Sequence, residues 1–448
     1  MPPGRNETEH TGRVLFRGVG VVSLPETGAC VPDDLNPLRP DFWRLPGPQR
    51  QAAFARLRAR DQPVLVEEGE RGRTFALVRH CDVTEASRRP EVFRSAPGAT
   101  TPPPARWVQA LFGASMVNLD GPEHARLRGV VARAFTPRIL ARAEDDIRRT
   151  ADRVVDGIAG AAGGDGTGDF VAAVAAPMPF HVLCRMMGIP EAERERIQVL
   201  IDRASEHVGL DRTLAQRLRT PGRGLRALAG MHRIVARVGR ERRERPGDDL
   251  ISRLVAPDRD GQSLSSRELG AFFSLLLVAG VETTRNALAH GLHLLTVHPG
   301  QREVLLSGLD AHLDTAVEEI VRHSTPIHQF RRTVAGEYGG GPGGYRPGDR
   351  VVLCYGSANR DERVFADPEA FDVTRSPNPH LGFGGGGPHY CLGAHLARQE
   401  IRAVLHALFT RYPDVHTTAP PSVPPTSFDH RVARLPFRLS VPRGTMRV

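Results

Sequence analysis

The sequence predicts a mainly α-helical fold with a small β region. One helix begins at Ser265, which forms a capping-box pattern with Glu268, and its apolar periodicity continues to the Pro-Gly pair at residues 299–300. At about 32 residues, or roughly 48 Å, such a helix crosses the whole core of a globular protein. Helical patterns separated by Gly- and Pro-containing turns fill residues 121–256, whereas strand patterns are short.

The other elements follow from local patterns in chain order. Residues 50–59 predict an amphipathic helix, and residues 63–68 and 73–79 predict a pair of strands. The Pro-rich stretch at 97–107 predicts an irregular, mobile loop. A further helix is expected at 313–323. Short strands and turns follow it, and a last long helix begins at Ala394.

We expect two regions along the chain. Residues 1–35 are polar and aperiodic and contain Pro and Gly, which predicts a flexible N-terminal arm. Residues 36–448 show no internal repeat, and although the length alone would allow about three domains, we expect them to form a single domain.

Composition excludes several classes of protein. The formal charge is +9, but the chain has no lysine and its arginines are dispersed among acids, so we expect no nucleic-acid partner. No apolar run approaches the ~20 residues that a membrane span needs, so we expect no membrane insertion. No basic stretch followed by an apolar one precedes the first helix, so we expect no signal peptide and a cytoplasmic protein. We also expect a monomer.

The five cysteines are spaced too widely for a zinc ribbon and are odd in number. They are Cys30, Cys81, Cys184, Cys354 and Cys391. This pattern argues against a disulfide framework and for a reducing compartment. Except for Cys391, we expect them to be small core residues.

The centre of the long helix carries the motif AGVETT, residues 279–284. Gly280 costs about 1 kcal/mol in a helix interior. Thr283 can donate its hydroxyl hydrogen to the carbonyl of Ala279, which bends the helix. The apolar run before the motif predicts that Glu282 lies inside the core. An acid and an alcohol beside such a notch suit proton delivery to a small bound ligand.

Two other pairs are weak signals when taken alone. Glu319 and Arg322 share one face of a helix, as surface ion pairs often do. His124 and Arg128 are one helical turn apart and could bind an anion together.

The stretch FGGGGPHYCLG, residues 383–393, places Cys391 on a glycine-rich loop. Glycine is costly in entropy, so such a run marks a bend or a close approach to a phosphate, a strand or a flat cofactor. A phosphate loop would lack the cysteine and would end in Lys-Ser or Lys-Thr, which this loop does not.

In this order, these motifs resemble the cytochrome P450 family of haem-thiolate monooxygenases, from about residue 40 to the end. The stretches at 246–252, 358–372 and 391–400 also resemble that family. The resemblance implies the P450 fold, with the long helix crossing over a buried haem b, and Cys391 as the axial ligand of the haem iron. The absence of a Cys-x-x-Cys-His sequence implies non-covalent binding.

The resemblance also implies roles for other residues. It assigns the two haem propionates to basic residues, which can form charge-assisted hydrogen bonds: His124, Arg128, Arg332 and His389. Gly393 permits the last helix to approach the haem. Glu319, Arg322 and Arg375 form a structural network behind it.

One spacing departs from the usual family pattern. Phe383 precedes Cys391 by eight residues rather than seven, because the loop has an extra glycine. This longer loop, and residues 278–291, resemble some actinobacterial members that hydroxylate lipids and steroids. The position of Phe383 against the sulfur is therefore open.

The implied reaction is activation of O2 and hydroxylation or epoxidation of an apolar molecule, such as a lipid, steroid, terpenoid or other secondary metabolite. Because no flavin or nicotinamide module is visible in the sequence, we expect electrons from a ferredoxin and a ferredoxin reductase. The alternatives are desaturation, ring coupling or peroxide-driven oxidation, and, in another class, a non-catalytic haem sensor. The Glu282–Thr283 pair argues against the peroxide-driven enzyme, and the motif around it argues against the sensor.

Overall fold

The computed structural model describes residues 30–69, 72–101, 111, 113–205, 221–258, 260–339 and 343–439. Its first helices are α1 (Pro40–Arg44), α2 (Gly47–Arg58), α3 (His80–Arg88), α4 (Gly121–Ala134), α5 (Pro137–Asp156), α6 (Ile158–Ala161), α7 (Pro177–Met186) and α8 (Glu191–Ser205). Those that follow are α9 (Pro221–Glu244), α10 (Leu250–Val255), α11 (Ser266–Leu276), α12 (Thr283–Val297), α13 (Pro299–Ser307), α14 (Leu309–Ser324), α15 (Tyr355–Ala358) and α16 (Ala394–Arg411).

The strands form two small sheets. They are β1 (Val64–Gly69), β2 (Gly72–Leu77), β3 (Phe93–Arg94), β4 (Thr167–Asp169), β5 (Gln329–Val334), β6 (Arg350–Cys354), β7 (His416–Thr417) and β8 (Pro436–Arg438). The larger sheet has the order β1-β2-β6-β5-β3, in which only β2 and β6 run parallel, and the smaller one has the antiparallel order β4-β8-β7. The predicted strand pair, β1 and β2, therefore lies at one edge of the larger sheet. Strands β6 and β5 from the C-terminal half, with β3 at the far edge, complete that sheet.

The long central helix forms as predicted, with one irregularity. Ser265 and Glu268 make the reciprocal bonds of a capping box. Between α11 and α12 the backbone is π-helical over Leu277–Glu282. Such segments widen a helix locally and often mark functional sites.

Two hydrophobic cores meet at the central helix. Buried residues of α12 pack with those of α5, α14 and α16, whereas buried residues of α11 pack with those of α4, α7, α9 and α10. No described helix combines the length and apolarity that crossing a bilayer requires.

Some expectations were wrong in detail. Pro299 does not only end the central helix, because it is the first residue of α13. Two of the cysteines that we expected in the core, Cys30 and Cys81, are exposed, whereas Cys184 and Cys354 are buried. Most of the predicted mobile loop (97–107), and residues 1–29 of the predicted arm, lie outside the described residues.

A buried ion pair connects α14 to the segment that follows β6. Arg322 forms a bidentate pair with Glu319, at 2.7 Å for both bonds, and both side chains are fully buried. Arg322 also donates to the carbonyls of Asn359, Pro368 and Ala370. This pair therefore lies in the interior and is not the surface pair that its spacing alone suggests.

Arg375 completes this network, which we call the Glu319 network. It donates to Glu319 at 3.2 Å, and Glu319 also accepts from the backbone N–H of Asp372 and the side-chain amide of Asn378. These contacts fix residues 359–378 against α14. That segment leads directly to the loop carrying Cys391.

Replacing Glu319 tests how much this network stabilises the fold. Glu319→Gln leaves the buried Arg322 guanidinium without its charge partner, so we expect the free energy of unfolding to fall by about 3–5 kcal/mol. The matched control is Glu241→Gln, because Glu241 pairs with Arg237 on the surface at 3.2 Å. That change should cost less than about 1 kcal/mol.

The measurement is denaturant-induced unfolding of both variants, followed by circular dichroism. Equal losses in the two variants would contradict a special role for the buried pair.

Candidate functional site

A cavity of about 590 Å³ lies between the central helix and the loop that carries Cys391. Most of the site residues predicted from the sequence border it: His124, Arg128, Gly280, Thr283, Arg332, Phe383, His389, Cys391 and Gly393. Residues that are more than 250 positions apart in the sequence thus face one space.

The notch predicted in the central helix is present. The Thr283 hydroxyl donates to the carbonyl of Ala279 at 2.6 Å. A Cβ atom added to Gly280 would meet nothing within 4 Å. Val278 lies mid-helix yet is 50% exposed, because it borders the cavity. The π-helical backbone at Gly280, which carries no side chain there, therefore faces the cavity.

Glu282 does not point into that notch. Its carboxylate lies 3.0 Å from the guanidinium of Arg285, one turn further along the helix, and it does not border the cavity. The expectation that this acid lies beside the notch was wrong in this respect. The apolar run before Glu282 correctly predicted that this residue is largely buried, since only 16% of its side chain is exposed. The run could not indicate which way the side chain points.

Cys391 lies at the opposite wall of the cavity, just before α16. Its N–H donates to the carbonyl of Phe383 at 2.9 Å. Burial raises the pKa of the Cys391 thiol, while a hydrogen bond from the Gly393 N–H and the charges of Arg128 and Arg398 act in the opposite direction. These groups therefore offset only part of the cost of burying a thiolate, and the pKa stays above its usual value.

The glycines before Cys391 serve the packing of the protein as well as the cavity. A Cβ on Gly385 would lie 2.6 Å from the Ser87 hydroxyl, and one on Gly387 would clash with the Ser87 carbonyl. Gly387 also has φ +72°, which L side chains rarely adopt. A Cβ on Gly382 would lie 2.5 Å from Val321. The sequence indicated a close approach, but not that α3 and α14 are the partners.

Gly393 behaves differently from these glycines. A Cβ added there would meet no protein atom within 4 Å, and Gly393 borders the cavity. Its lack of a side chain therefore leaves open space beside Cys391 and the start of α16.

Two arginines at the cavity have no carboxylate partner. Arg332 is only 4% exposed, and its guanidinium donates to a backbone carbonyl, that of Arg331. Arg128 likewise donates to the carbonyl of Tyr390. Among the described residues neither forms an ion pair. Arg332 is buried and Arg128 is half-buried. A buried cation without a counter-charge is costly, so Arg332, with Arg128 beside the same cavity, fits an anionic group there.

The two predicted histidines lie side by side. The rings of His124 and His389 are 4.3 Å apart between centroids. Burial, with the charges of His389 and Arg128, lowers the pKa of His124 to about 4. His389 contacts the Ser95 hydroxyl at 3.0 Å. Burial also lowers the pKa of His389, so at neutral pH both rings supply hydrogen-bonding groups rather than positive charge.

Asp120 is a member of this cluster that the sequence did not reveal. It accepts hydrogen bonds from the N–H groups of Ser95 and Ala96, and it lies 3.7 Å from His389. Burial opposes its ionisation, but the nearby His389 and the hydrogen bonds from these two N–H groups outweigh it and lower the pKa of Asp120 to about 2. In the sequence, the only indication that Asp120 has a role at this site is its position directly before α4.

Four arginines that could form a cationic docking surface beside Cys391 are already engaged. Arg398 forms a bidentate pair with Glu318, Arg402 pairs with Asp314, Arg126 with Glu268, and Arg133 with Asp258. Their charges are therefore largely compensated within the chain. Arg398 also lies over the ring of Phe383, at 4.2 Å from its centroid, and this contact fixes Phe383 behind the cysteine loop.

The comparisons with known proteins agree with this geometry. The cytochrome P450 family model matches residues 91–439. The chain belongs to the cytochrome P450 family. This P450 is 41% identical over 415 residues to the methyl-branched lipid omega-hydroxylase of Mycobacterium tuberculosis (strain ATCC 25618 / H37Rv), a match that covers 89% of this chain and 93% of the relative.

Two further matches extend the comparison. The steroid C26-monooxygenase of Mycolicibacterium smegmatis is 35% identical over 362 residues, which cover 79% of this P450 and 80% of that protein. The solved structure of a Mycobacterium marinum cytochrome P450 in complex with pseudoionone matches with a TM-score of 0.81 and 36% identity. The match covers 94% of this chain and 100% of that chain.

Membership of this family makes the protein a haem-dependent monooxygenase whose cofactor is haem b. Dioxygen and a lipophilic molecule are its substrates, and it needs redox partners. The cavity fits haem in three respects. It holds one thiol, two arginines without carboxylate partners, and backbone at Gly280 and Gly393 where a Cβ would meet nothing.

Proposed function

We propose that this P450 hydroxylates a long aliphatic, lipid-like molecule near one end of its chain. The observation that carries this proposal is the apolar wall of the cavity away from Cys391: Met116, Leu183, Met186, Leu228, Phe272, Leu275, Val278, Ile327, Phe330 and Phe428. Such a wall excludes water and favours alkyl groups through burial of apolar surface. The names of the lipid- and steroid-oxidising relatives support the same class.

The wall offers few polar contacts to a substrate. Two histidines of the neighbouring segments, His181 and His328, do not border the cavity. His328 instead stacks between Trp43 and His430, at 4.7 Å from each ring. Recognition by shape and alkyl contact, rather than by a specific hydrogen bond, follows from this.

We propose that Cys391 holds the haem as its thiolate ligand and that His124, Arg128, Arg332 and His389 hold the two haem carboxylates. Haem ligated by a thiolate supplies reductive cleavage of dioxygen and transfer of one oxygen atom to a C–H bond. The guanidinium groups suit carboxylates because they donate hydrogen bonds in a planar fork. Phe383, fixed by Arg398, shields the sulfur side from solvent.

We further propose that Thr283 and Gly280 handle protons and water in the notch. The hydroxyl of Thr283 can donate to Ala279 or turn to hold a water molecule in the cavity, since a hydroxyl both donates and accepts. Gly280 leaves the space for that water. Glu282, paired with Arg285, can contribute only if this ion pair opens.

Ferredoxin and its reductase are the electron donors that we propose. Four arginines on the cysteine side, Arg126, Arg133, Arg398 and Arg402, are paired with carboxylates of the chain itself. They therefore offer little uncompensated charge to an acidic ferredoxin. Arg88 is exposed and donates to the Gly385 carbonyl at 3.3 Å, and it forms no ion pair with any described residue. It is therefore the additional contact that we propose on the cysteine side.

The substrate class can be tested with a panel of ligands. We expect long methyl-branched and linear fatty acids to shift the haem absorption on binding and to give terminal alcohols with reductant and O2. Short polar aromatics should give neither. Mass spectrometry of the products identifies the carbon atom that carries the new hydroxyl group. Hydroxylation only of compact polar molecules, or only within the chain interior, would contradict the proposal.

Thr283→Ala tests the handling of protons. We expect haem content, CO binding and substrate affinity to stay unchanged, while product formed per reductant consumed falls on the order of tenfold and hydrogen peroxide rises, because proton delivery is impaired. Thr283→Ser keeps the hydroxyl and is the matched control, which should retain most of the coupling. An unchanged ratio in the alanine variant would leave Thr283 with only its bond to Ala279.

A further inference from the structure

One side of the cavity is formed by two chain segments, one that leads from α14 into β5 and one that precedes β8. The rings of Phe330 and Phe428, which both border the cavity, lie 5.7 Å apart between centroids. The N–H of His328 donates to the carbonyl of Phe428 at 2.8 Å, and the N–H of His430 donates to that of Pro326 at 3.0 Å. The two segments are therefore one hydrogen-bonded unit, which we call the aromatic wall.

A series of contacting rings lies behind the aromatic wall, and we call it the histidine cluster. The ring of His430 lies 4.7 Å from that of His328 and 4.0 Å from that of His290 on α12. His328 also contacts Trp43 of α1. His290 and His328 are buried, and none of the three histidines borders the cavity. The histidine cluster therefore connects the aromatic wall to two helices without reaching the substrate space.

Two imidazoles of this cluster also bind backbone carbonyls. His290 Nε2 lies 3.0 Å from the carbonyl oxygen of His430, and His430 Nδ1 lies 2.6 Å from that of Ser324. A carbonyl oxygen can only accept, so these two nitrogens carry the protons. Burial lowers the pKa of both histidines, that of His290 to about 4, so the other nitrogen of each ring carries none at neutral pH. Each is therefore a neutral ring with one donor at a fixed position.

The bond to Ser324 lies where the chain turns into the aromatic wall. Ser324 is the last residue of α14, so its carbonyl has no partner within the helix. The next residue, Thr325, has φ +41°, a left-handed conformation that ends the helix. An apolar side chain in place of His430 could fill the space but could not bind this carbonyl. His430 therefore fixes the turn, and His290 fixes His430 to the central helix.

We propose that His290 and His430 are positioning residues, which hold the aromatic wall at a set place against the central helix and thereby determine which carbon atom of the substrate is hydroxylated. This inference rests on the proposed function, because a long chain held by alkyl contacts is aligned by the shape of its walls. The notch residue Thr283 lies on the same helix, α12, as His290. The hydrogen bond from His290 therefore couples the aromatic wall to the helix that carries the notch.

The first test needs no turnover. Nitrogen NMR of the haem-loaded ferrous–CO protein, with isotopically labelled histidines, should show His430 protonated at Nδ1 only and His290 protonated at Nε2 only. The signals are assigned by their loss in His430→Phe and in His290→Leu. A His430 ring protonated at Nε2 instead, or a doubly protonated ring at neutral pH, would overturn the proposal.

The second test compares the products of the variants. His290→Leu and His430→Phe fill the space but lose the hydrogen bonds, so the ratio of terminal to internal alcohols should fall on the order of fivefold, as the loss of one hydrogen bond implies. Haem content and the ferrous–CO spectrum should stay as in the parent protein. His290→Gln, whose amide can donate from the place of Nε2, should restore the ratio.

His298→Leu is the matched control. His298 packs against Phe371, with ring centroids 5.3 Å apart, outside both the cavity and the histidine cluster. This variant loses an imidazole from the end of the same helix, so general destabilisation should affect it similarly, but the ratio of products should stay as in the parent protein.

The outcomes separate this inference from the proposed function. Terminal hydroxylation of lipids with the parent ratio in both His290→Leu and His430→Phe, an equal change in His298→Leu, or no restoration by His290→Gln would overturn the positioning role alone. If no lipid is hydroxylated, the same variants are compared on a steroid or terpenoid that shifts the haem absorption. A changed site of oxidation there would support the positioning role and leave only the substrate class wrong, whereas an unchanged site would overturn both.

Discussion

The buried ion pair between Glu319 and Arg322 is the interaction on which the site depends. The two residues are only three positions apart, but Arg322 also donates hydrogen bonds to the carbonyls of Asn359, Pro368 and Ala370. The side chain of Asn359 then accepts from the N–H of Leu381, immediately before the glycine loop. The loop bearing Cys391 is thus connected to α14 through groups with little freedom to move, and a buried pair lacking either partner would leave an uncompensated charge.

Charge compensation also distinguishes the arginines at the cavity from those elsewhere in the protein. Arginines near the protein surface find carboxylates within the chain, as Arg398 finds Glu318, whereas Arg128 and Arg332 at the cavity have no such partner among the described residues. Uncompensated cations around one thiol suit a flat cofactor that brings its own two carboxylates. In the assignment that we propose, the two carboxylates of the cofactor and these arginines compensate each other's charge.

Local patterns predicted the features that depend on neighbours in sequence. The capping box at Ser265, the bond from Thr283 to Ala279, and the pairing of Glu319 with Arg322 all involve residues three or four apart. The family resemblance, not periodicity, supplied Arg332 and His389. Local patterns could not predict the long-range contacts: none shows that Gly387 approaches Ser87 on α3, or that Asp120 lies beside His389. Glu282 was misplaced because Arg285 offered a nearer partner than the cavity.

Ligation of haem by Cys391 is the central claim, and the absorption of the ferrous–CO complex tests it most directly. The parent protein and Cys354→Ala, whose cysteine is buried in the core, should both show the red-shifted Soret band of thiolate ligation. Cys391→Ala should lose this band. A thiolate-type band that persists in Cys391→Ala would contradict the account.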